Sequence, residues 1–203
     1  MKYIDLTQLI DNNMPVFPGD IPVKLAPLVT YEKDGVANHR LECSLHIGTH
    51  IDAPGHFINN DKKICDFAVT KFIGQAKLID VRGSQEITID HVKNQIGLAK
   101  IVIFFTGLGN LFKTKNYFYD YPVLTDECAE YLVSQNVEMV GLDSPSVDNS
   151  PCNIHRILLS NDVLIIENLI NLEKLLGKDF EIIALPLKID GHGAPARVIA
   201  KIN

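Results

Sequence analysis

Residues 44–57 read SLHIGTHIDAPGHF and gather His46, His50 and His56, three of the chain's seven histidines, around Asp52. Imidazole and carboxylate groups together form the ligand set that zinc, manganese and similar divalent ions take in catalytic sites with an open position. A helix over this stretch is disfavoured, because Ile47, Thr49 and Ile51 are β-branched, Gly48 is interior and Pro54 follows. In an extended chain the four residues share parity and point to one side. A straight strand would still hold positions 46 and 50 about 13 Å apart, at ~3.3 Å per residue, which is too far for one ion. The chain must therefore bend. Gly48 is able to make the first turn, and Pro54 with Gly55 the second, which returns His56. The alternative is a polar strand end carrying surface histidines.

A second group lies downstream in NIHRILLSNDVLIIENL. Glu167 closes the apolar run VLII, so its carboxylate is at least partly buried and needs a cation, either a metal or a neighbouring Lys or Arg. His155, twelve residues earlier, opens a short helix; taken alone it reads as a surface or satisfied core histidine. Asp143 and Asp148, which flank SPSV, read as turn residues. Cys152 stands three before His155, a spacing that suits either a metal ligand or a small buried hydrophobe.

The elements that must position these groups follow from the apolar pattern. Segments 76–81, 100–105, 138–142 and 163–166 are short, continuous and rich in branched residues, as buried strands are. Helical spacing separates them: 87–99 behind a Thr88 cap, LTDECAEYLVSQN behind Thr125, and INLEKLLGK ending at Gly177. This strand, helix, strand rhythm predicts a partly parallel sheet. The first 75 residues differ, with extended KYIDLT and VKLAPLVTYE set between FPGD and EKDG turns, an antiparallel pattern. ALPLKI and ARVIAKI add strands at the C-terminus. The expected class is α/β, a single domain over 1–203 whose mixed sheet has parallel and antiparallel parts.

Composition narrows the function classes. The chain has 203 residues, 46% apolar and 22% charged, with a net charge of −6 and no clustered Lys and Arg, which disfavours nucleic-acid and anionic membrane surfaces. A small-molecule partner is the natural expectation. The N-terminus lacks an apolar signal-peptide core and no segment reaches the ~20 apolar residues of a membrane span, so a cytoplasmic location is expected. Four cysteines, at 43, 65, 128 and 152, form no C-x-x-C pair and read as reduced thiols.

H-I-G-T-H-I-D-A-P-G-H resembles the signature of the putative cyclase family of metal-dependent hydrolases, which includes bacterial kynurenine formamidase. The resemblance extends to YIDLTQLIDNNMPVFPGD, to Thr106-Gly107 after a strand, to SPSVDNSPCNIHRILLSNDVLIIENL and to ALPLKIDGHGAPARVIA. It implies a swivelling β/β/α-type fold in homo-oligomers, dimers or tetramers. It also implies one or two divalent ions per chain, Zn2+ or Mn2+. His46, His50 and Asp52 would hold one, with Asp52 bridging, and His155 with Glu167 would complete a second position. His56 would be the acid/base. Three departures bear on the substrate: Phe17 stands where formamidases carry tryptophan, Phe105 where many relatives carry arginine, and His192 where relatives carry aspartate. Phe17 and Phe105 are accordingly expected as apolar substrate walls, and His192 as an extra polar group near the site.

The activity implied is hydrolysis of a small amide-type substrate, such as an aryl formamide or a lactam, by water activated at the metal. A metal-dependent lyase or cyclase acting through an enolate would use the same groups. A non-catalytic metal-binding protein would need a closed ligand shell, whereas five ligands are too few to fill two sites.

Overall fold

The computed structural model describes residues 1–114 and 116–202. Its centre is the apolar run β7 (Ile101–Phe105), all five residues of which are buried. Ile101, Ile103 and Phe105 face one apolar cluster and Val102 and Phe104 another, the alternation expected of a strand covered on both faces. Parallel neighbours flank it, β5 (Ile73–Asp80) on one side and β9 (Met139–Leu142) then β10 (Leu164–Glu167) on the other. Antiparallel strands complete the sheet: β4 (His50–Asp52), β11 (Phe180–Pro186), β12 (Gly193–Ile202) and β1 (Lys2–Asp5). The strand order is β1-β12-β11-β5-β7-β9-β10-β4, and β4 also pairs with β12 through Gly193, Ala194 and Pro195. The sheet therefore closes on itself. One cluster, which includes Ile51, Ile103, Ile166 and Val198, fills the interior.

The outer face of the parallel part is covered by α3 (Asp126–Ser134) and α4 (Asn153–Ser160). Thr125 caps α3 by accepting from the Cys128 amide at 3.3 Å. In α4 the buried residues Ile154, His155, Leu158 and Leu159 form one stripe against the sheet. Two smaller sheets stand outside the barrel, an antiparallel hairpin of β2 (Lys24–Val29) and β3 (Asn38–Glu42), and a short parallel pair, β6 (Glu86–Ile87) with β8 (Val123–Leu124). The EKDG turn is a single helical turn, α1 (Tyr31–Asp34), closed by a left-handed Gly35.

Two helical expectations require correction. The segment 87–99 forms only α2 (Ile89–Val92), because Lys93 leaves the helical region and Asn94 and Gly97 adopt left-handed angles. INLEKLLGK forms a 3-10 turn over Leu172–Leu175, with Gly177 left-handed just beyond. The closure of the sheet through β4 and β12 was not foreseen. Among the described residues no helix is long and apolar enough to cross a membrane.

Candidate metal centre

β4 carries the centre of the site and its register decides which way each ligand points. Directly opposed residues of an antiparallel pair share a face. His50 opposes Glu167 and Asp52 opposes Ile165 on β10, so His50, Asp52 and Glu167 stand together on the outer face while Ile51 points into the barrel. That outer face is the one α4 covers, and its buried stripe lowers His155 onto it. The bend is at Gly48, whose φ of +51° lies in the left-handed region that side-chain-bearing residues rarely adopt, and a Cβ there would also displace the tip of Met14. Pro54–His56 forms a 3-10 turn that brings His56 back. Gly193 on β12 leaves room for His46, since a Cβ there would lie 2.5 Å from His46 Cε1.

Four groups converge. His50 Nε2 lies 3.3 Å from Asp52 Oδ1 and 3.4 Å from Glu167 Oε2. His155 Nε2 lies 3.7 Å from Asp52 Oδ2 and 3.5 Å from Glu167 Oε1. All four side chains are buried. Glu167 Oε1 has no hydrogen-bond partner, a costly state for a buried carboxylate oxygen. Two carboxylates and two imidazole nitrogens around an orphaned oxygen are the donor set a borderline divalent ion satisfies, so the residues fit a metal. His46 reaches the same centre from the side, its Nδ1 2.6 Å from Asp52 Oδ1. It groups with Asp52 and His56 more closely than with His50. No Lys or Arg pairs with Glu167 among the described residues; the groups that face it are the imidazoles of His50 and His155, which can carry protons or hold a metal in their place.

The charges behave accordingly. Burial opposes ionisation of Asp52, yet His46, His50 and His155 outweigh it and hold its pKa well below the carboxylate range. For Glu167 burial prevails, reinforced by Asp52, and the pKa rises. Burial works against a charge on His50, but Asp52, Glu167 and the Gly48 carbonyl raise its pKa to about 9. His155 is likewise raised, against burial, by Asp148, Asp52 and Glu167.

His56 lies nearly flat on His46, with centroids 3.8 Å apart at 21°, and Phe57 stands at its edge. Packing of the ring in this cluster, with help from charge on His46, His155 and His50 and opposition from Asp52, lowers its pKa to about 4. The residue as a whole is exposed, so solvent moderates the shift. Its direction keeps the imidazole neutral near pH 7 and able to accept a proton.

A pocket of about 340 Å³ opens over these groups, walled by Val16, Phe17, Phe57, Phe112, Phe118 and Tyr121. Phe17 lines this pocket, edge-on to Phe118 at 5.9 Å. Phe105 does not: it is buried in the barrel interior, under the Arg82 guanidinium, and is absent from the pocket wall. The parity of β7 turns it inward. His192 also misses the main pocket. It packs against Gly55, 3.2 Å from Asp61, and lines an adjoining cleft that shares His46 and His56.

The two aspartates read as turn residues are more than that. Asp148 accepts from the His155 amide at 3.1 Å and lies 2.7 Å from its Nδ1, holding Nε2 toward Asp52 and Glu167. Asp143, buried, accepts from Thr106 and from the amides of Gly107 and Gly109, and so shapes the loop after β7. Asn168, next to Glu167, was also missed. Spacing could not reveal Asp143 and Asn168, which act on segments 37 and 120 residues away, and a hydrogen bond between Asp148 and a histidine seven residues on leaves no periodic pattern. Cys152 is half-buried and lines the pocket beside Asp148 and His155, instead of serving as a core hydrophobe.

Known proteins match the chain over nearly its whole length. The chain is 32% identical over 207 residues to kynurenine formamidase of Bacillus cytotoxicus, covering 98% of this chain and 97% of that protein. An isatin hydrolase bound to the product analogue thioisatinate superposes with a TM-score of 0.88 at 24% identity, over 98% of this chain and 91% of that one. A potential metal-dependent hydrolase with cyclase activity gives 0.83 at 25% identity, over 98% and 96%. The family model described as Putative cyclase matches residues 4–149, and with a 32% identical relative spanning nearly the whole chain, this protein belongs to that family.

Proposed function

We propose that this chain is a metal-dependent hydrolase of a small, non-peptide amide, with an aryl formamide of the N-formylkynurenine type as the first candidate. The observation that carries the reading is the convergence of His50, His155, Asp52 and Glu167 around a buried carboxylate oxygen without a partner. The name of the 32% identical relatives supports the substrate type. His46, His50, Asp52, His155 and Glu167 would hold one or two divalent ions, with zinc favoured by the imidazole donors and manganese the alternative. Such an ion, when bound, supplies a lowered pKa for water and polarisation of a carbonyl.

The chain's own residues do the rest. Asp148 and the Gly48 carbonyl orient the two buried imidazoles. Phe17 and Phe118 take up the apolar part of the substrate and displace water from it. His56, neutral and solvent-facing, takes the proton of the attacking water on a ring nitrogen and returns it to the leaving amide nitrogen. The test is metal content per chain on untagged protein, followed by assay on N-formylkynurenine and on amide and lactam panels, with His56→Ala alongside. We expect stoichiometric metal in both proteins and a loss of turnover in His56→Ala on the order of 10²- to 10⁴-fold. A folded chain that takes up no divalent metal would end this reading.

A further inference from the structure

Two of the three segments that supply ligands, the bend at 46–52 and the end of β10, are fastened together by one buried residue. Asn168 is buried and holds a left-handed φ of +59°, which asparagine tolerates better than most residues. All four of its polar groups are engaged. Its amide donates to the Ser144 carbonyl at 3.1 Å and its carbonyl accepts from Thr49 Oγ1 at 2.8 Å. Its Nδ2 donates to the Gly48 carbonyl at 2.9 Å, while its Oδ1 accepts from the Tyr117 hydroxyl at 2.8 Å.

The Gly48 carbonyl is also 2.9 Å from His50 Nδ1. A carbonyl oxygen can only accept, so Nδ1 of His50 must carry a proton, and Nε2 is the nitrogen turned to Asp52 and Glu167. We infer that Asn168 is a positioning residue for the metal centre: through the Gly48 carbonyl it fixes the tautomer and direction of His50, and it sets the distance between His50 and Glu167. The inference rests on the metal reading proposed above. The Gly48 carbonyl can only accept, so Nδ2 is the group that faces it, and the Tyr117 hydroxyl then steadies the other end of the amide by donating to Oδ1. Asn168 is adjacent to Glu167 in the chain and Gly48 is two before His50, so a slip in this contact moves a ligand on each side.

The experiment uses the full chain with Asn168→Asp, Asn168→Gly and Tyr117→Phe. Asn168→Asp keeps the shape but presents a carboxylate to the Gly48 carbonyl, and Asn168→Gly keeps the backbone angle without the side chain. Zinc affinity is measured by competition with a chelator, and folding by the thermal transition of the metal-free chain. The zinc-loaded proteins are also labelled with 15N-histidine, so that NMR reports whether the His50 Nδ1 proton is held or exchanges with water.

The expected result is a 10- to 100-fold loss of zinc affinity in both Asn168 variants, as for other groups that orient ligands. A smaller loss is expected in Tyr117→Phe, with a His50 Nδ1 proton that is sharp in the parent and lost to exchange in the Asn168 variants. Parent affinity together with a parent-like His50 signal in folded Asn168 variants overturns the inference. If both Asn168 variants fail to fold, Tyr117→Phe decides it, with reduced affinity supporting and parent affinity overturning. A parent chain that binds no zinc is a failure of the metal reading itself, visible before any variant is made, and it takes this inference with it.

Discussion

His50 shows how far a single residue's chemistry is set by its neighbours. Its pKa rises from 6.5 to about 9 because, despite burial, two carboxylates face it. A group whose folded pKa is raised contributes stability that is fully present below the unfolded value and is lost as pH climbs through the folded one. The metal-free chain should therefore lose thermal stability between about pH 6.5 and about pH 9. The metal-loaded chain should lose less, because a ligated Nε2 has no proton to give up. A metal-free transition that stays flat over this window would show that His50 is not held protonated. The same proton must leave when the ion enters, so metal affinity should fall as pH is lowered. Asp148 makes a companion case. Asp148→Asn removes the charge that orients His155, and a 10- to 100-fold loss in metal affinity with retained folding is expected, measured by chelator competition. Residue type and spacing made His46, His50 and Asp52 legible as a candidate ligand set, whereas Glu167 and His155 joined it only through the family resemblance. Asp148 and Asn168 were not legible, since a supporting hydrogen bond leaves no periodic trace.

At the level of elements, the site depends on one turn and one helix. Gly48 is left-handed, so Gly48→Ala introduces backbone strain of about 1–2 kcal/mol and makes the tip of Met14 shift. It should lower the melting temperature and weaken metal binding together, because the bend both closes the strand entry and aims His50. Unchanged metal affinity in a folded Gly48→Ala would separate the bend from the site. Leu158 in α4 is fully buried among the residues under the helix. Leu158→Ala should cost about 2–5 kcal/mol in denaturant titration, by removing packing that seats the stripe carrying His155. Strands β7, β9 and β10 could be read in advance because burial on both faces leaves an unbroken apolar run. The helix expected over 87–99 failed for the opposite reason. Its apolar spacing was right, but Asn94 and Gly97 turn left-handed and end it after one turn.

In the whole molecule the sheet closes because β12 is long enough to pair with β11 along one edge and with β1 and β4 along the other. No local pattern announces that, since it depends on strands some 140 residues apart finding each other. Phe105 was misplaced for the same reason: only the closed barrel defines which parity of β7 is inside. The closure has a thermodynamic consequence that can be measured. The proposed ligands come from the 46–52 bend, from α4 and from the end of β10, so an ion bound to all three ties together segments that separate on unfolding. At free metal near a thousand times the dissociation constant, binding to the native state alone adds about 4 kcal/mol. For a chain of this size each kcal/mol moves the transition by roughly 2–4 °C. Thermal unfolding with zinc, compared with unfolding after chelation, should therefore differ on the order of 10 °C. Glu167→Ala and His155→Ala should each remove most of that difference, whereas Phe17→Ala at the pocket wall should preserve it and act instead on KM for aryl substrates. Equal transitions with and without metal would mean that these three segments are not joined through an ion.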